Sequence, residues 1–399
     1  MRLINKKHIS HILLSLVVLF IFNSDLRVVI GATAYWVLIV VTSLGVSLTS
    51  DIKINIKRSI FTVNIAMLFF ILSGLFSSLI NVDSESAYQI MKILICFMII
   101  SILILSTERY KIPVLANILF LCLFAMSISA VSTYFVTNWA VVLGDGRIGT
   151  QISYPGVMWK SGAFILPVIL SFYFLESISR TRTYVAIILA FSLVLIDGSR
   201  TGFLYMAFQV PWLVYFIMDN KNSGFWGVCK KGTLFFMLIT VGFLFLFSFD
   251  LDELVVIQRL SEIDESRIRM LSESLEVIDK CILFGCGFGS SSIETSGYKM
   301  VIHNAYLSTL GDYGLFTLLA LISIVLLPFI LSIVSRKSFV INSEKKGASC
   351  LLISTAGFPM LMMFHPLSSE FSEWGIFFIP IMALFSTLNH LENKNEKAI

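Results

Sequence analysis

The chain has 399 residues, of which 57% are hydrophobic and 14% are charged, and its mean hydropathy is +0.89. A soluble domain of this length carries far more charge, so the composition excludes an ordinary soluble globular protein. The formal net charge of +4 is modest and gives no indication of nucleic-acid binding. The sequence therefore predicts an all-α, polytopic membrane protein that forms a single integral membrane domain over residues 1–399.

Apolar blocks of about 17 to 25 residues, the length that crosses a bilayer as a helix, recur along the whole chain. The first block has the basic start of a signal peptide, but no small-residue cleavage site follows it, so we interpret it as a retained helix. The pattern predicts about twelve transmembrane helices. They cover residues 9–23, 28–49, 60–80, 88–106, 112–136, 161–177, 183–198, 202–218, 233–249, 304–334, 347–364 and 375–389.

The charges in the loops predict the orientation of these spans, because Lys and Arg in short loops favour the cytoplasmic side. The N-terminus is basic and so is every second connection after it, whereas most of the other connections are short, acidic or rich in polar residues. The bias predicts a multi-pass protein with both termini in the cytoplasm. It is carried by Arg2, Lys6, Lys7, Lys53, Lys57, Arg58, Arg109, Lys111, Arg180, Arg182, Lys221, Lys230, Lys231, Arg336, Lys337, Lys345 and Lys346.

Two long loops are predicted to face outward, residues 137–160 and 250–303. In the second, apolar residues recur at spacings of three and four with acidic residues off the stripe, which predicts an amphipathic helix over 268–283. Such a helix either lies on the membrane surface or covers a cavity. The glycines of 285–289 are expected to end it in a flexible turn. The stripe consists of Ile268, Leu271, Leu275, Ile278 and Ile282.

Of the six cysteines, only Cys281 and Cys286 are predicted to lie on the outward side. Their separation permits a disulfide bridge, but cysteine is also an ordinary small apolar residue, and we favour that interpretation. The chain has no CxxC motif and no mixed pattern of His and Cys ligands. The sequence therefore predicts neither a metal site nor a cofactor.

Four basic side chains are predicted on the outward face, against the bias for positive charge inside. A guanidinium group can bind a diphosphate with paired hydrogen bonds, and placing it near lipid is costly, which suggests a functional reason for it. For any one arginine alone we favour a simpler interpretation, in which the side chain reaches the interface or pairs with Asp145 or Asp197. The four residues are Arg147, Lys160, Arg200 and Arg267.

His303 is predicted at the mouth of a membrane span, at the end of the longest outward loop. A histidine at such a position more often caps a helix than catalyses a reaction, and the adjacent Asn304 is also a good capping residue. A neutral imidazole is nevertheless the natural base for taking a proton from a sugar hydroxyl. The other outward histidine, His365, precedes Pro366, and we interpret it as a helix-end residue.

These residues resemble a known superfamily. His303-Asn304, nine residues and then Gly314-x-x-Thr317 are similar to a pattern in the ligases and polymerases of lipid-linked bacterial surface polysaccharides, the O-antigen ligases and O-antigen polymerases. The resemblance covers roughly residues 140–320 and departs from the family at Ile282, where Pro is common, and at Tyr154, where Asn is common. Three further segments match in the same order: Arg147 before Tyr154-Pro155, Ser199-Arg200-Thr201-Gly202, and Arg267 ahead of Gly285-Cys286-Gly287.

The resemblance implies a metal-independent, inverting glycosyltransferase of the bacterial cell inner membrane, with both outward loops in the periplasm. Its donor would be an oligosaccharide on undecaprenyl diphosphate, with the polyprenyl tail among the helices and membrane lipid. Arg200 and Arg267, assisted by Arg147, would bind the diphosphate, and His303 would accept the proton of the acceptor hydroxyl. Supporting residues of the same site would be Asn304, Arg269 and Gly314.

Three activities stay open at this point. A polymerase transfers the growing chain to a new lipid-linked repeat unit, whereas a ligase transfers it to lipid A-core. We favour the polymerase, because a ligase is expected to present more outward basic residues to its phosphorylated acceptor. A flippase of lipid-linked sugars is the third alternative, although most predicted spans lack the central charges that transporters use. The sequence does not decide whether a chain-length regulator binds.

Overall fold

The structure is a computed structural model that describes fourteen stretches of the chain. The predicted span 233–249, together with Arg147 and His365, lies outside them. The described stretches are residues 6–23, 26–49, 58–105, 112–135, 140–142, 148–150, 155–156, 158–217, 265–295, 298–300, 302–338, 342–364, 374–379 and 381–384.

Most of the described residues are helical, as the apolar blocks predicted. The helices are α1 (Lys6–Phe22), α2 (Leu26–Ile30), α3 (Ala32–Thr49), α4 (Arg58–Ile80), α5 (Ser84–Leu105), α6 (Ile112–Phe135), α7 (Met158–Phe174), α8 (Arg180–Asp197), α9 (Arg200–Ile217), α10 (Glu265–Lys280), α11 (Ala305–Ser338) and α12 (Asn342–Met362). Residues 374–379 and 381–384 are helical as well.

Within the described residues, five helices are long and apolar enough to cross a membrane. Three shorter apolar helices accompany them, at His8–Phe22, Met158–Phe174 and Trp374–Leu384. The prediction of a helical membrane protein is confirmed at this level, whereas the number of about twelve spans stays a prediction. The five longer segments are Ala32–Thr49, Phe61–Ile80, Ser84–Leu103, Pro113–Val131 and Ala305–Leu331.

Helix α7 lies at the centre of the described bundle, since nearly every one of its side chains is buried. It packs on α8, α12, α6 and α9, while α11 packs on α4 and α12. Small residues allow the close approaches, because a Cβ at Gly162 would lie 2.6 Å from the carbonyl oxygen of Ala190 on α8. At the start of α9, a Cβ at Gly202 would lie 2.9 Å from the Trp159 side chain. A helix that is apolar on all sides is expected to occupy such a central position.

Several predicted boundaries differ from the structure. The predicted span 28–49 is divided at Gly31, whose φ of 89° separates α2 from α3. The fold is also not purely helical, because each predicted outward loop contains an antiparallel hairpin. β1 (Ala140–Val142) pairs with β2 (Ile148–Thr150), and β3 (Ile293–Thr295) pairs with β4 (Tyr298–Met300).

The amphipathic helix predicted over 268–283 is present as α10, but it begins and ends three residues earlier. Only part of its apolar stripe is packed. Leu271 and Leu275 are 42% and 48% exposed, whereas Ser274 and Ile278 are buried. Ser274 Oγ donates to the carbonyl of Ser291 at 3.3 Å, and Ile278 lies against Gly311 of α11. The helix therefore packs along the edge of its stripe and leaves two leucines uncovered.

Candidate active site

The site is built around a break in α11. Gly314 has φ 85° and ψ −179°, a conformation almost restricted to glycine, while the residues on both sides are helical. The break releases backbone groups that an unbroken helix would pair internally. The carbonyls of Gly311 and Asp312 accept from the N–H groups of Cys286 at 2.8 Å and Gly287 at 3.1 Å. A loop segment thus supplies the hydrogen bonds that the helix loses.

Two glycines allow this loop segment to approach the helix. A Cβ at Gly314 would lie 2.3 Å from the carbonyl oxygen of Leu283, and a Cβ at Gly285 would lie 2.4 Å from that of Asp312. Leu315 N–H then reaches the carbonyls of Ile282 at 2.8 Å and Leu283 at 3.2 Å. Both glycines have positive φ, 73° at Gly285 and 85° at Gly314. The expected flexible turn is therefore a docked turn, which backbone contacts hold against the break in α11.

A disulfide closes the docked turn. Cys281 and Cys286 are bonded, with their Cα atoms 5.4 Å apart. Gly285 N–H also donates to the carbonyl of Cys281 at 2.8 Å, which tightens the same loop. The interpretation of these two cysteines as ordinary apolar residues is therefore wrong. Pairing depended on the helix ending at Lys280, which leaves Cys281 in the turn and brings its side chain back to Cys286.

The corner between α4 and α5 holds the other side of the turn. Ser77 Oγ donates to the carbonyl of Phe284, and Asn81 Nδ2 donates to that of Gly285 at 3.1 Å. Ser77 and Asn81 lie one helical turn apart, so both side chains reach the same short segment. The polar residues at the end of α4 are thus used to fix a segment about two hundred positions later in the chain.

Asp83 adds a charged contact at this corner. Its Oδ1 accepts from Glu85 N–H at 3.0 Å, which caps α5, and its Oδ2 accepts from Phe288 N–H at 2.9 Å. The hydroxyl of Ser86 donates to the same carboxylate and holds the pKa of Asp83 below its ordinary value, together with the backbone N–H groups and against the opposing effect of burial. A single carboxylate therefore caps a membrane helix and tethers the turn.

This geometry predicts a pH dependence of stability. Because the pKa of Asp83 is lowered on folding, its contribution is present above the unfolded pKa of about 4 and is lost as the pH falls through the folded value. We expect the free energy of unfolding of Asp83→Asn to lie below that of the parent at neutral pH and to approach it as the pH falls through the lowered folded pKa. Unfolding by SDS in mixed micelles across this pH range measures the difference.

The matched control for this measurement is Asp279→Asn, on the exposed side of α10. That substitution is expected to leave the unfolding free energy close to that of the parent at neutral pH. A difference in unfolding free energy between Asp83→Asn and the parent that does not shrink as the pH falls below about 4 would contradict the assignment of Asp83 as an ionised tether.

Asp312 is a site residue that the sequence analysis missed. Its side chain is buried, and its Oδ1 accepts from Ser291 N–H at 3.1 Å, Ser291 Oγ at 2.9 Å and Ser290 Oγ at 3.3 Å. The signal in the sequence was an acidic residue inside an apolar span, two positions before Gly314, which is costly unless it is hydrogen-bonded. Asp312 therefore anchors the segment that follows the glycine turn.

His303 and Asn304 have different positions at the start of α11. Asn304 Oδ1 accepts from the N–H groups of Tyr306 at 3.0 Å and Leu307 at 3.1 Å, so Asn304 is the N-cap. His303 precedes the cap and is partly buried. Of the two roles considered for the pair, the structure assigns helix capping to Asn304, and His303 is not needed for it.

Arg200 is the first residue of α9. Gly198 ends α8 in the left-handed conformation, and Ser199 Oγ accepts from Gly202 N–H at 3.1 Å as the cap of α9. This two-residue corner places the partly buried Arg200 at the junction of two helices. Asp197, which we had considered as an ion-pair partner, accepts from the N–H groups of Gly156 at 2.6 Å and Trp159 at 2.8 Å.

Helix α12 contacts both α9, which begins at Arg200, and α11, which follows His303. Near its C-terminal end, a Cβ at Gly357 would lie 1.9 Å from Tyr205 Oη of α9, and the carbonyl of Pro359 accepts from Tyr306 Oη of α11 at 3.0 Å. Tyr205 lies five residues after Arg200, and Tyr306 lies three residues after His303. The starts of α9 and α11 therefore lie at the same end of the bundle, which we call the site end.

The structure describes only some of the remaining predicted site residues. Arg267 and Arg269 belong to the first half of α10, whose backbone is described, but their side chains lie outside the described residues, and Arg147 lies outside them entirely. Lys160 is buried in the first turn of α7 and does not project freely outward. The described structure thus brings Arg200, His303, Asn304 and Gly314 to the site end and leaves the arginines of the long loops as predictions.

Comparison with known proteins adds no identity. No protein-family model matches the sequence, and no curated protein matches it significantly. The function of the site is therefore argued from its residues.

Proposed function

We propose that this protein is a membrane glycosyltransferase that joins oligosaccharide repeat units carried on undecaprenyl diphosphate, at the periplasmic face of the bacterial inner membrane. The observation that carries the proposal is the position of Arg200 and His303 at the site end of the bundle, Arg200 as the first residue of α9 and His303 directly before the N-cap of α11. A cation and a base at one membrane surface suit a substrate that has a lipid tail, a diphosphate and a sugar.

The chemistry follows from these two side chains. As the acceptor hydroxyl attacks the anomeric carbon, the bond to the diphosphate breaks and negative charge develops on the leaving oxygen. A guanidinium that is already in place stabilises this charge, and Arg200 is assigned to that role, with Arg267 and Arg147 as further ligands. His303 accepts the hydroxyl proton. Attack on the face opposite the diphosphate inverts the anomeric carbon.

The disulfide supports the periplasmic assignment. Disulfides persist in oxidising compartments such as the periplasm and are rare in the bacterial cytosol. Cys281 and Cys286 lie in the turn that docks against α11 at the site end, close along the chain to His303. This agrees with the loop charges, which also favour an outward location for residues 250–303.

Purified protein supplied with lipid-linked repeat units tests the proposal. We expect elongated lipid-linked product in detergent, which a flippase cannot form. We expect Arg200→Lys to slow elongation by about tenfold or more, because losing one of two charge-assisted hydrogen bonds costs about 1.5 to 3 kcal/mol. Product analysis by gel or mass spectrometry gives the rate.

The matched control is Arg182→Lys. Arg182 lies in the first turn of α8, at the opposite end of that helix from Asp197 and the site end, and its Nη1 donates to Asn117 Oδ1 at 2.6 Å. This variant is expected to elongate at the parental rate. Product formed only with lipid A-core as acceptor would reassign the protein as a ligase, and no product with either acceptor would contradict the proposal.

A further inference from the structure

The docked turn carries an uncovered apolar tip. Ile282, Leu283 and Phe284 are 41%, 55% and 36% exposed, although they lie inside the segment closed by the disulfide. Three consecutive exposed apolar residues in a turn are unfavourable in water. Their environment therefore needs a partner other than solvent.

Many of the backbone polar groups around the turn are paired within the protein. Non-helical backbone is tolerated at membrane depth only where the protein satisfies its polar groups. The five carbonyls of 281–285 accept hydrogen bonds from Gly285, Leu315, Ser77 and Asn81, and the four N–H groups of 285–288 donate to Cys281, Gly311, Asp312 and Asp83. The carbonyl groups of the turn and the N–H groups that follow its tip are thus directed into the protein, while its apolar side chains are directed away from it.

The side chain of Phe284 indicates the depth of the turn. Its ring lies 5.9 Å from that of Phe76 and 6.2 Å from that of Phe316, between the centroids. Phe76 belongs to the candidate span Phe61–Ile80 and Phe316 to Ala305–Leu331. Both of these rings are exposed on the surface of their helices, the surface that a membrane span turns toward lipid. The tip of the turn is therefore continuous with the lipid-facing sides of α4 and α11.

Helix α10 extends the same apolar surface. Leu271 and Leu275, which are uncovered, lie on one side of the helix that leads into the turn. Charged residues such as Glu276 and Asp279 lie beyond this edge and are exposed to solvent. An apolar edge beside a charged face is the arrangement of a helix that rests at a membrane surface.

We infer that the disulfide-closed turn 281–286 rests in the membrane surface and that the apolar side chains of residues 282–284 reach the acyl chains of the adjacent leaflet. The partner is bilayer lipid. Insertion fixes the turn from its apolar side, while α4, α5 and α11 fix its polar side, and both constraints act on the segment that docks at Gly314. The inference does not depend on the catalytic activity, and it holds for any function of the site end.

Tryptophan fluorescence in vesicles tests the inference. Leu283→Trp and Ile282→Trp are compared in vesicles of phosphatidylcholine with and without dibrominated acyl chains, which quench a nearby indole. The emission that each variant shows beyond that of the parent is the measured quantity. Brominated chains are expected to quench it as strongly as they quench the added emission of Leu72→Trp, an exposed position on α4 inside a candidate span. Glu276→Trp on the charged side of α10 is the control and is expected to be quenched by aqueous iodide instead.

Each outcome decides the inference. Quenching of both turn variants by brominated chains supports it. Quenching by iodide alone would place the tip in water, and protection from both quenchers would mean that another part of the chain or a second copy covers it, so either result overturns the inference. Because no substrate is used, failure of this test leaves the proposed glycosyltransferase activity untouched, and failure of the elongation assay leaves this test valid.

Discussion

Gly314→Ala is expected to lower the free energy of unfolding by about 4 kcal/mol or more, because two costs add. An alanine in this region of φ and ψ is strained by about 1 to 3 kcal/mol. Its Cβ would also meet the carbonyl oxygen of Leu283 at 2.3 Å, so the turn has to move away from the helix. The hydrogen bonds from Leu315, Cys286 and Gly287 would then be weakened together, at about 1 kcal/mol each.

A second glycine separates these two costs. Gly31 also has a positive φ, 89°, but a Cβ there would meet no atom within 4 Å. Gly31→Ala is therefore expected to cost only the backbone strain, about 1 to 2 kcal/mol. Unfolding by SDS in mixed micelles, followed by circular dichroism, compares the two variants. Equal effects at both positions would show that the close approach of the turn to α11 is not what requires glycine.

Gly285→Ala provides the reciprocal test. Its Cβ would lie 2.4 Å from the carbonyl oxygen of Asp312, so the same interface is opened from the loop side. The double variant Gly285→Ala, Gly314→Ala is then expected to cost less than the sum of the single variants, since the first substitution has already separated the two segments.

Much of the fold was predictable because it depends on local pattern. The length of an apolar block determines whether a helix can cross a bilayer, and the described helices follow most of the predicted blocks within a few residues. The capping role of Asn304 was considered for the same reason, since a capping residue stands directly before an apolar run. Local signals of this kind do not require knowledge of distant parts of the chain.

The contacts that build the site were less predictable because they are long-range. The approach of Gly285 to Gly314 joins residues 29 positions apart, and the bonds from Ser77 and Asn81 to the turn cross more than two hundred. No local pattern in the sequence relates such segments. The disulfide was not favoured because the separation of Cys281 and Cys286 permits a bridge without requiring one, and cysteine is also an ordinary small apolar residue.

The stripe of α10 shows where a helical pattern misleads. Its spacing correctly predicted a helix, and a stripe in a soluble protein would face the core. In a membrane protein, lipid is a second apolar partner, so part of the stripe can remain uncovered while a serine is buried. Ser274 is buried because it hydrogen-bonds the carbonyl of Ser291, and Leu271 and Leu275 remain exposed. Periodicity identifies the apolar face and does not identify what it faces.

His303→Ala is expected to lower the rate of elongation by about 10² to 10⁴-fold, the usual contribution of a general base. The expected effect on stability is small, because Asn304, and not His303, accepts the N–H groups at the start of α11. His303→Gln tests the same point, since glutamine keeps a polar side chain at this partly buried position but does not accept the proton. Both variants are expected to bind lipid-linked substrate while elongating it slowly.

Asn304→Ala is expected to lower stability more than the rate of elongation, the reverse of His303→Ala, and it serves as the matched control. Loss of the N-cap is expected to lower the free energy of unfolding by about 1 kcal/mol. Its effect on elongation should be modest, because the imidazole of the neighbouring residue is retained. The two measurements together, unfolding in mixed micelles and product formation from lipid-linked repeat units, separate a catalytic role from a structural one.

Among the residues that the structure describes, the buried carboxylate of Asp312 is a competing base to consider. Its Oδ1 already accepts three hydrogen bonds from Ser290 and Ser291, so the removal of Asp312 is expected to release the turn and to lower stability and elongation together. If His303→Ala elongates at the parental rate, His303 is not the base. If Asp312→Asn is as stable as the parent and inactive, the proton is accepted at the break in α11 and not at the helix start.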